Sequence, residues 1–198
     1  MLDRLRALLP PPADPVEPGR PDGWAEVEAT LGTPLPDDFK AFTEEYGSGM
    51  VDDFLYLFNP FAAGEDGNLL AEKDRVLPAY AQTRARFPDR LPLPPFPEPG
   101  GVLPLGRTDN GDELYWVTGG DPGDWPVLLL ESRAARQEVH RLPVTGFLAA
   151  RVTGSGMSTG GFAASDTGRG RADGGPVGAR DGRTGRRDGG LARPGRPC

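Results

Sequence analysis

The sequence predicts an α+β fold: a mainly antiparallel sheet packed by helices on one side, with a disordered C-terminal tail. Three observations carry that reading. Apolar residues recur at helical spacing in three segments before Gly47, a stretch centred on Asn110-Gly111 has the pattern of a hairpin, and regular apolar spacing stops near Val152. The 198 residues therefore divide into a short helix and Pro-rich lead-in over 1–22, a folded domain over 23–153 and a Gly/Arg-rich tail over 154–198.

Leu2, Leu5, Leu8 and Leu9 fit one short amphipathic helix, which Pro10-Pro11-Pro12 ends, and the prolines through Pro21 make a stiff connector. A second helix is expected from Gly23 to Leu31. Asp22 is its candidate N-cap, Trp24, Val27 and Leu31 share a face, Glu26 and Glu28 point outward, and Gly32 ends it. Pro36 suits the first turn of a third helix, where Asp37 and Asp38 complement the macrodipole and Phe39, Phe42 and Tyr46 line one face. Gly47 is placed to stop that helix in a left-handed conformation.

Val51 to Phe58 reads as one strand, ended by Asn59-Pro60 and followed by the polar loop Gly64-Glu65-Asp66-Gly67. Leu69 to Arg86 has helical composition, but Pro78 is expected to split it or to start it late. Six prolines from Pro88 to Pro99 demand an extended, partly polyproline-II connection. It leads to the hairpin, in which Asn110-Gly111 is expected to form a type I′ turn between strands carrying Leu103, Leu105, Leu114 and Trp116. Gly119 to Asp124 makes another turn, Trp125 to Leu130 a buried strand and Gln137 to Leu142 a further one. Thr145 is the candidate cap of a last helix that carries Phe147, Leu148 and Val152 and ends at Gly154.

Charge is distributed unevenly along the chain. Residues 1–151 hold 14 basic and 25 acidic side chains, a balance of −11, whereas residues 152–198 carry +4. An acidic body repels nucleic acid and anionic membranes and favours basic protein partners. The lone cysteine, Cys198, leaves no intrachain disulfide and no thiolate cluster. No cleavable signal sequence is read at the N-terminus, and the longest apolar run, Val127 to Leu130, is far short of a bilayer span. A soluble cytoplasmic protein is expected.

Catalytic patterns are weak. Gly156-Met157-Ser158-Thr159-Gly160 matches the nucleophile-elbow string, yet it lacks the strand and helix that would expose the serine, and its base would have to be the lone His140. Asp109, Asp112 and Glu113 lack the alternation and the distal glutamate of a calcium loop, so turn chemistry accounts for them first. Gly119-Gly120-Asp121-Pro122-Gly123 places acids where a phosphate cradle needs donors. Arg169-Gly170 and Gly185-Arg186 offer at most nonspecific contact with RNA. Trp24, Trp116 and Trp125 each sit in phase with apolar neighbours and are expected to be buried. The chain is read as no enzyme, with no metal and no cofactor.

Five short motifs occur together in order: Trp24-Ala25-Glu26-Val27-Glu28 leading to Leu31-Gly32, Leu35-Pro36-Asp37-Asp38-Phe39-Lys40, Tyr46-Gly47-Ser48-Gly49, Gly106 to Asp112 before Tyr115-Trp116, and Trp125-Pro126-Val127. In these, from about Trp24 to Gly154, the chain resembles the SUKH superfamily, the Smi/Knr-type group of cell-wall-assembly regulators. The resemblance implies a helix-packed antiparallel sheet, no catalytic residues, no cofactor, and a protein-binding role. In bacteria that role is typically immunity against a toxin domain, often a nuclease or deaminase. An acidic surface suits a basic toxin site, and Asp52, Asp53, Asp109, Asp112, Glu113, Asp121 and Asp124 are the expected contributors. Behind immunity stand a regulatory scaffold and, third, a small-ligand-binding domain.

Overall fold

Three helices form where the leucine and aromatic spacing requires them. In the computed structural model, which describes residues 1–133, 136–154 and the strand 162–164, α1 spans Leu2–Leu8, α2 Trp24–Leu31 and α3 Asp37–Tyr46. Leu5 and Leu9 are buried with Trp24, Val27, Leu31, Phe39, Phe42 and Tyr46 in one core. The lead-in over 1–22 therefore packs as part of the domain core. Gly47 ends α3 at φ 66°, and a Cβ there would lie 2.1 Å from the Val16 carbonyl oxygen, so only glycine fits where the lead-in crosses.

Two local expectations fail in this region. Gly23, not Asp22, is the N-cap of α2, and no side chain caps it. Glu28 does not face outward freely: its Oε1 accepts from the Leu35 N–H at 2.9 Å and from Lys40 Nζ at 3.0 Å, bracing the α2–α3 loop.

The sheet is antiparallel throughout and runs in the order β6-β5-β4-β3-β2-β1, with β1 Gly49–Val51, β2 Leu55–Leu57, β3 Val102–Thr108, β4 Glu113–Val117, β5 Val127–Leu130 and β6 Gln137–His140. The single strand expected over Val51 to Phe58 is a hairpin, because Asp52 and Asp53 adopt φ of 56° and 52° and reverse the chain. A short β7, Phe162–Ala164, extends the sheet beside β1. The rest of the tail expected to lack order lies outside the described residues, apart from Gly154, the last residue of α5, Val144–Gly154.

Leu69–Arg86 is one continuous helix, α4, with Pro78 inside it. Proline removes the bond to the Asp74 carbonyl, but Pro78 is exposed, so water can satisfy that oxygen. The helix starts at Asn68, whose Oδ1 accepts from the Leu70 and Ala71 amides. At α5 the expected cap also differs. Thr145 lies inside the first turn, and Asp38 of α3 supplies the cap, its Oδ2 accepting from the Thr145 N–H at 2.8 Å and from its hydroxyl at 3.1 Å.

Side chains alternate across the strands. Leu103, Leu114, Trp116, Val127 and Leu129 face α1, α2, α3 and α5, while Val102, Tyr115 and Leu128 face α4 and the Pro-rich run, packing with Val76, Tyr80 and Leu91. Four helices thus share the expected side, and α4 covers the other. All three tryptophans are buried, none more than 6% exposed.

Candidate functional site

Antiparallel order brings three turns to one end of the sheet: β1–β2, β3–β4 and β5–β6. They are fastened to one another. The Asp109 N–H donates to the Phe54 carbonyl at 2.8 Å. Asp112 Oδ1 accepts from the Ser132 N–H at 3.0 Å and the Ser132 hydroxyl at 3.2 Å, joining the second turn to the third. The Thr108 hydroxyl donates to Asp112 Oδ2 at 3.1 Å and accepts from the Asp112 N–H at 3.0 Å, closing the β3–β4 loop on itself.

That loop is not the type I′ turn expected at Asn110-Gly111. The Thr108 carbonyl accepts from the Gly111 N–H, and within the loop only Gly111, at φ 84°, is left-handed. This is the three-residue pattern in which a type I turn is followed by one left-handed residue. Two successive left-handed residues occur instead at Asp52-Asp53, spanned by the Phe54 N–H on the Val51 carbonyl at 3.2 Å. Aspartate tolerates that region better than most residues because its short side chain can bond locally.

The seven acids divide into three groups. Asp53 and Asp109 are exposed at the joined turns, with Asp52 half-buried beside them. Asp112 and Glu113 are engaged within the fold: Asp112 holds the turns together, and the Glu113 carboxylate accepts from the Tyr115 hydroxyl on the α4 side of the sheet. Asp121 and Asp124 lie at the opposite end, in the β4–β5 connection. There Asp121 Oδ1 accepts from the Gly123 N–H at 2.8 Å and starts a single turn of 3-10 helix. The seven do not make one continuous surface.

Sequence reasoning missed the most buried charge among the described residues. Glu72, on α4, is 1% exposed and accepts from Arg75 Nε at 2.9 Å, Arg107 Nη1 at 3.3 Å and the Gly67 N–H at 3.1 Å. It ties α4 to β3 and to the loop before the helix. The i, i+3 spacing of Glu72 and Arg75 was the available signal, but nothing local points to Arg107, 35 residues away. Beside this cluster an open cleft of about 210 Å³ is lined by Arg75, Arg107, Glu113 and Tyr115. Burial pushes the Tyr115 hydroxyl well above the usual tyrosine range, and the Glu113 carboxylate adds to the effect. It stays a donor. Two carboxylates and two guanidinium groups balance there, which suits a structural clamp.

Between the sheet and α5, the cavity lined by Asp52, Phe54, Leu129, Phe147 and Arg151 holds about 30 Å³, too small for a ligand much larger than a few waters. His140 packs its ring on Phe147, with centroids 5.0 Å apart, and its Nε2 lies 3.6 Å from Glu138. The nucleophile-elbow string Gly156 to Gly160 and the Arg-Gly pairs of the tail lie outside the described residues. Among the described residues no group of three or more acids, histidines or cysteines has metal-holding geometry, and no helix is long and apolar enough to cross a membrane. Compared with family models, curated proteins and solved structures, the chain matches none.

Proposed function

We propose that this chain is a SUKH-type protein-binding domain that works without catalysis, as a cytoplasmic immunity protein that binds and neutralises a basic toxin domain. The observation that carries the reading is the joined turns at one end of the sheet, where Asp52, Asp53 and Asp109 are held by backbone and side-chain bonds rather than left on separate loops. A preformed tip carrying Asp52, Asp53 and Asp109, with Arg107 and Arg151 beside them, can meet the basic groups of a nuclease or similar site, and the −11 balance of residues 1–151 attracts such a partner to the body as a whole. The α+β architecture agrees with the resemblance, although a fold of itself assigns no role. Asp121 and Asp124, at the far end of the sheet, belong to a different surface and drop out of this interface.

The test uses the full chain as bait in its native cell at low and moderate salt, followed by titration of the captured partner. A single basic toxin domain is expected, inhibited by the chain and bound at least about tenfold more weakly by the Asp52→Asn, Asp53→Asn, Asp109→Asn triple variant. Affinity unchanged in that variant would sink the acidic-tip reading. Several cellular proteins and no toxin would assign the chain to regulatory scaffolding instead.

A further inference from the structure

The acidic body has a basic flank. Of the 14 basic residues before Val152, Arg133, Arg136 and Arg141 stand on or beside β6, and Arg90 lies on the turn that meets it. Arg84 and Arg86 stand in the last turn of α4. The Gln137 side-chain amide donates to the Arg90 carbonyl, fastening the turn after α4 to the edge strand. Arg136 and Arg141 bracket β6, and Arg133 stands on the turn before it. The acids on this flank are Asp89, Glu131 and Glu138, of which Glu138 shares a salt bridge with Arg136 at 2.8 Å.

The same flank exposes apolar surface. Val139 is 51% and Phe87 48% exposed, two of the largest such departures among the described residues. Phe87 sits one tight turn from the Gln137 contact, its carbonyl accepting from the Arg90 N–H at 3.0 Å, and the Arg90 guanidinium lies 5.3 Å from its ring centroid. An aromatic ring beside arginines is a common anchor for a protein ligand.

β6 also ends the sheet with its backbone open. The Glu131 N–H bonds the Arg136 carbonyl at 2.9 Å, so in this antiparallel ladder the alternate residues Glu138 and His140 turn their polar groups inward to β5. Gln137 and Val139 turn theirs outward, where no described strand meets them. The opposite edge already gains a strand, because β7 pairs with β1. The tail is basic and does not complement a second, arginine-lined edge.

We propose that the outer edge of β6 docks an acidic, extended segment of a protein partner, which adds a strand to the sheet. Main-chain bonds to Gln137 and Val139 supply the pairing, Val139 and Phe87 receive apolar side chains, and the surrounding arginines select carboxylates. The strand pairing at Gln137 and Val139 does not depend on the acids of the tip, although Arg133 stands on the β5–β6 turn that Ser132 fastens to Asp112.

The test titrates the full chain with a labelled peptide of alternating glutamate and valine, and with the same peptide carrying lysine for glutamate, by fluorescence anisotropy at two salt concentrations. Val139→Pro removes an outward N–H, which an edge strand tolerates, and Arg141→Glu reverses one flanking charge without touching the strand backbone. The acidic peptide is expected to bind, more weakly at high salt. The lysine peptide, Val139→Pro and Arg141→Glu should each lose at least about tenfold in affinity. Circular dichroism shows whether Val139→Pro is folded; if it is not, Arg141→Glu decides. No binding of the acidic peptide, equal binding of both peptides, or affinity unaffected by the decisive variant overturns the proposal. Preferential binding of a single-stranded oligonucleotide overturns it too, and gives the arginines to nucleic acid.

Discussion

Tyr80 shows how burial of one hydroxyl becomes a property of the whole protein. Its ring packs near Tyr115 between α4 and the sheet, and its hydroxyl donates to the Leu93 carbonyl at 3.0 Å. Burial pushes its pKa up from 10.0 to about 12. Above the ordinary value the unfolded chain loses this proton while the folded chain keeps it, so the stabilisation is complete below pH 10 and is lost as pH rises toward 12. Unfolding free energy measured by denaturant titration is therefore expected to fall across that window. Tyr80→Phe should cost about 1 kcal/mol near neutral pH and flatten the alkaline decline. A decline as steep in Tyr80→Phe as in the parent would assign it to other groups. No sequence pattern marked this hydroxyl, since its acceptor is a backbone carbonyl on a proline-rich run.

At the scale of elements, the sequence was most readable where several local signals agreed. The aromatic face of α3, the stop at Gly47 and the buried tryptophans all followed from spacing alone. It misled where one residue outvoted its neighbours. Pro78 argued for a break, yet seventeen other residues, the Asn68 cap and the apolar positions Val76 and Tyr80 hold α4 continuous. Pro78→Ala restores an amide for the Asp74 carbonyl and removes the ring clash, and is expected to stabilise the protein by about 1 kcal/mol or more, read as a higher denaturant midpoint. A lower midpoint would mean that the proline shapes the helix to the sheet. Asp52-Asp53 misled in the opposite sense: the paired aspartates were the available turn signal, weaker than glycine or asparagine, and two strands were read as one.

At the scale of the molecule, long-range contacts decided what composition could not. The Pro-rich opening reads as a connector, but Leu5 and Leu9 are at most 1% exposed, the Tyr46 hydroxyl donates to the Leu9 carbonyl at 2.6 Å, and Asn59 Nδ2 donates to the Glu17 carbonyl at 2.9 Å. Two fully buried leucines represent about 3–6 kcal/mol, a large part of a domain's stability. A chain starting at Pro21 is accordingly expected to lose its cooperative thermal transition by circular dichroism. A melt within a few degrees of the full chain would show the opening segment to be dispensable. The acids likewise look equivalent in sequence, and only strand order separates Asp52, Asp53 and Asp109 from Asp121 and Asp124.

The fastening of the three turns bears on how quickly and how tightly that end of the sheet can engage anything. Separate loops would each surrender their own freedom on contact, at about 0.5–1.5 kcal/mol for each side chain immobilised. Here Asp112, Ser132 and the Asp109 amide have already joined the loops during folding. Association therefore orders one preformed body, and little of the attraction is spent on assembling it.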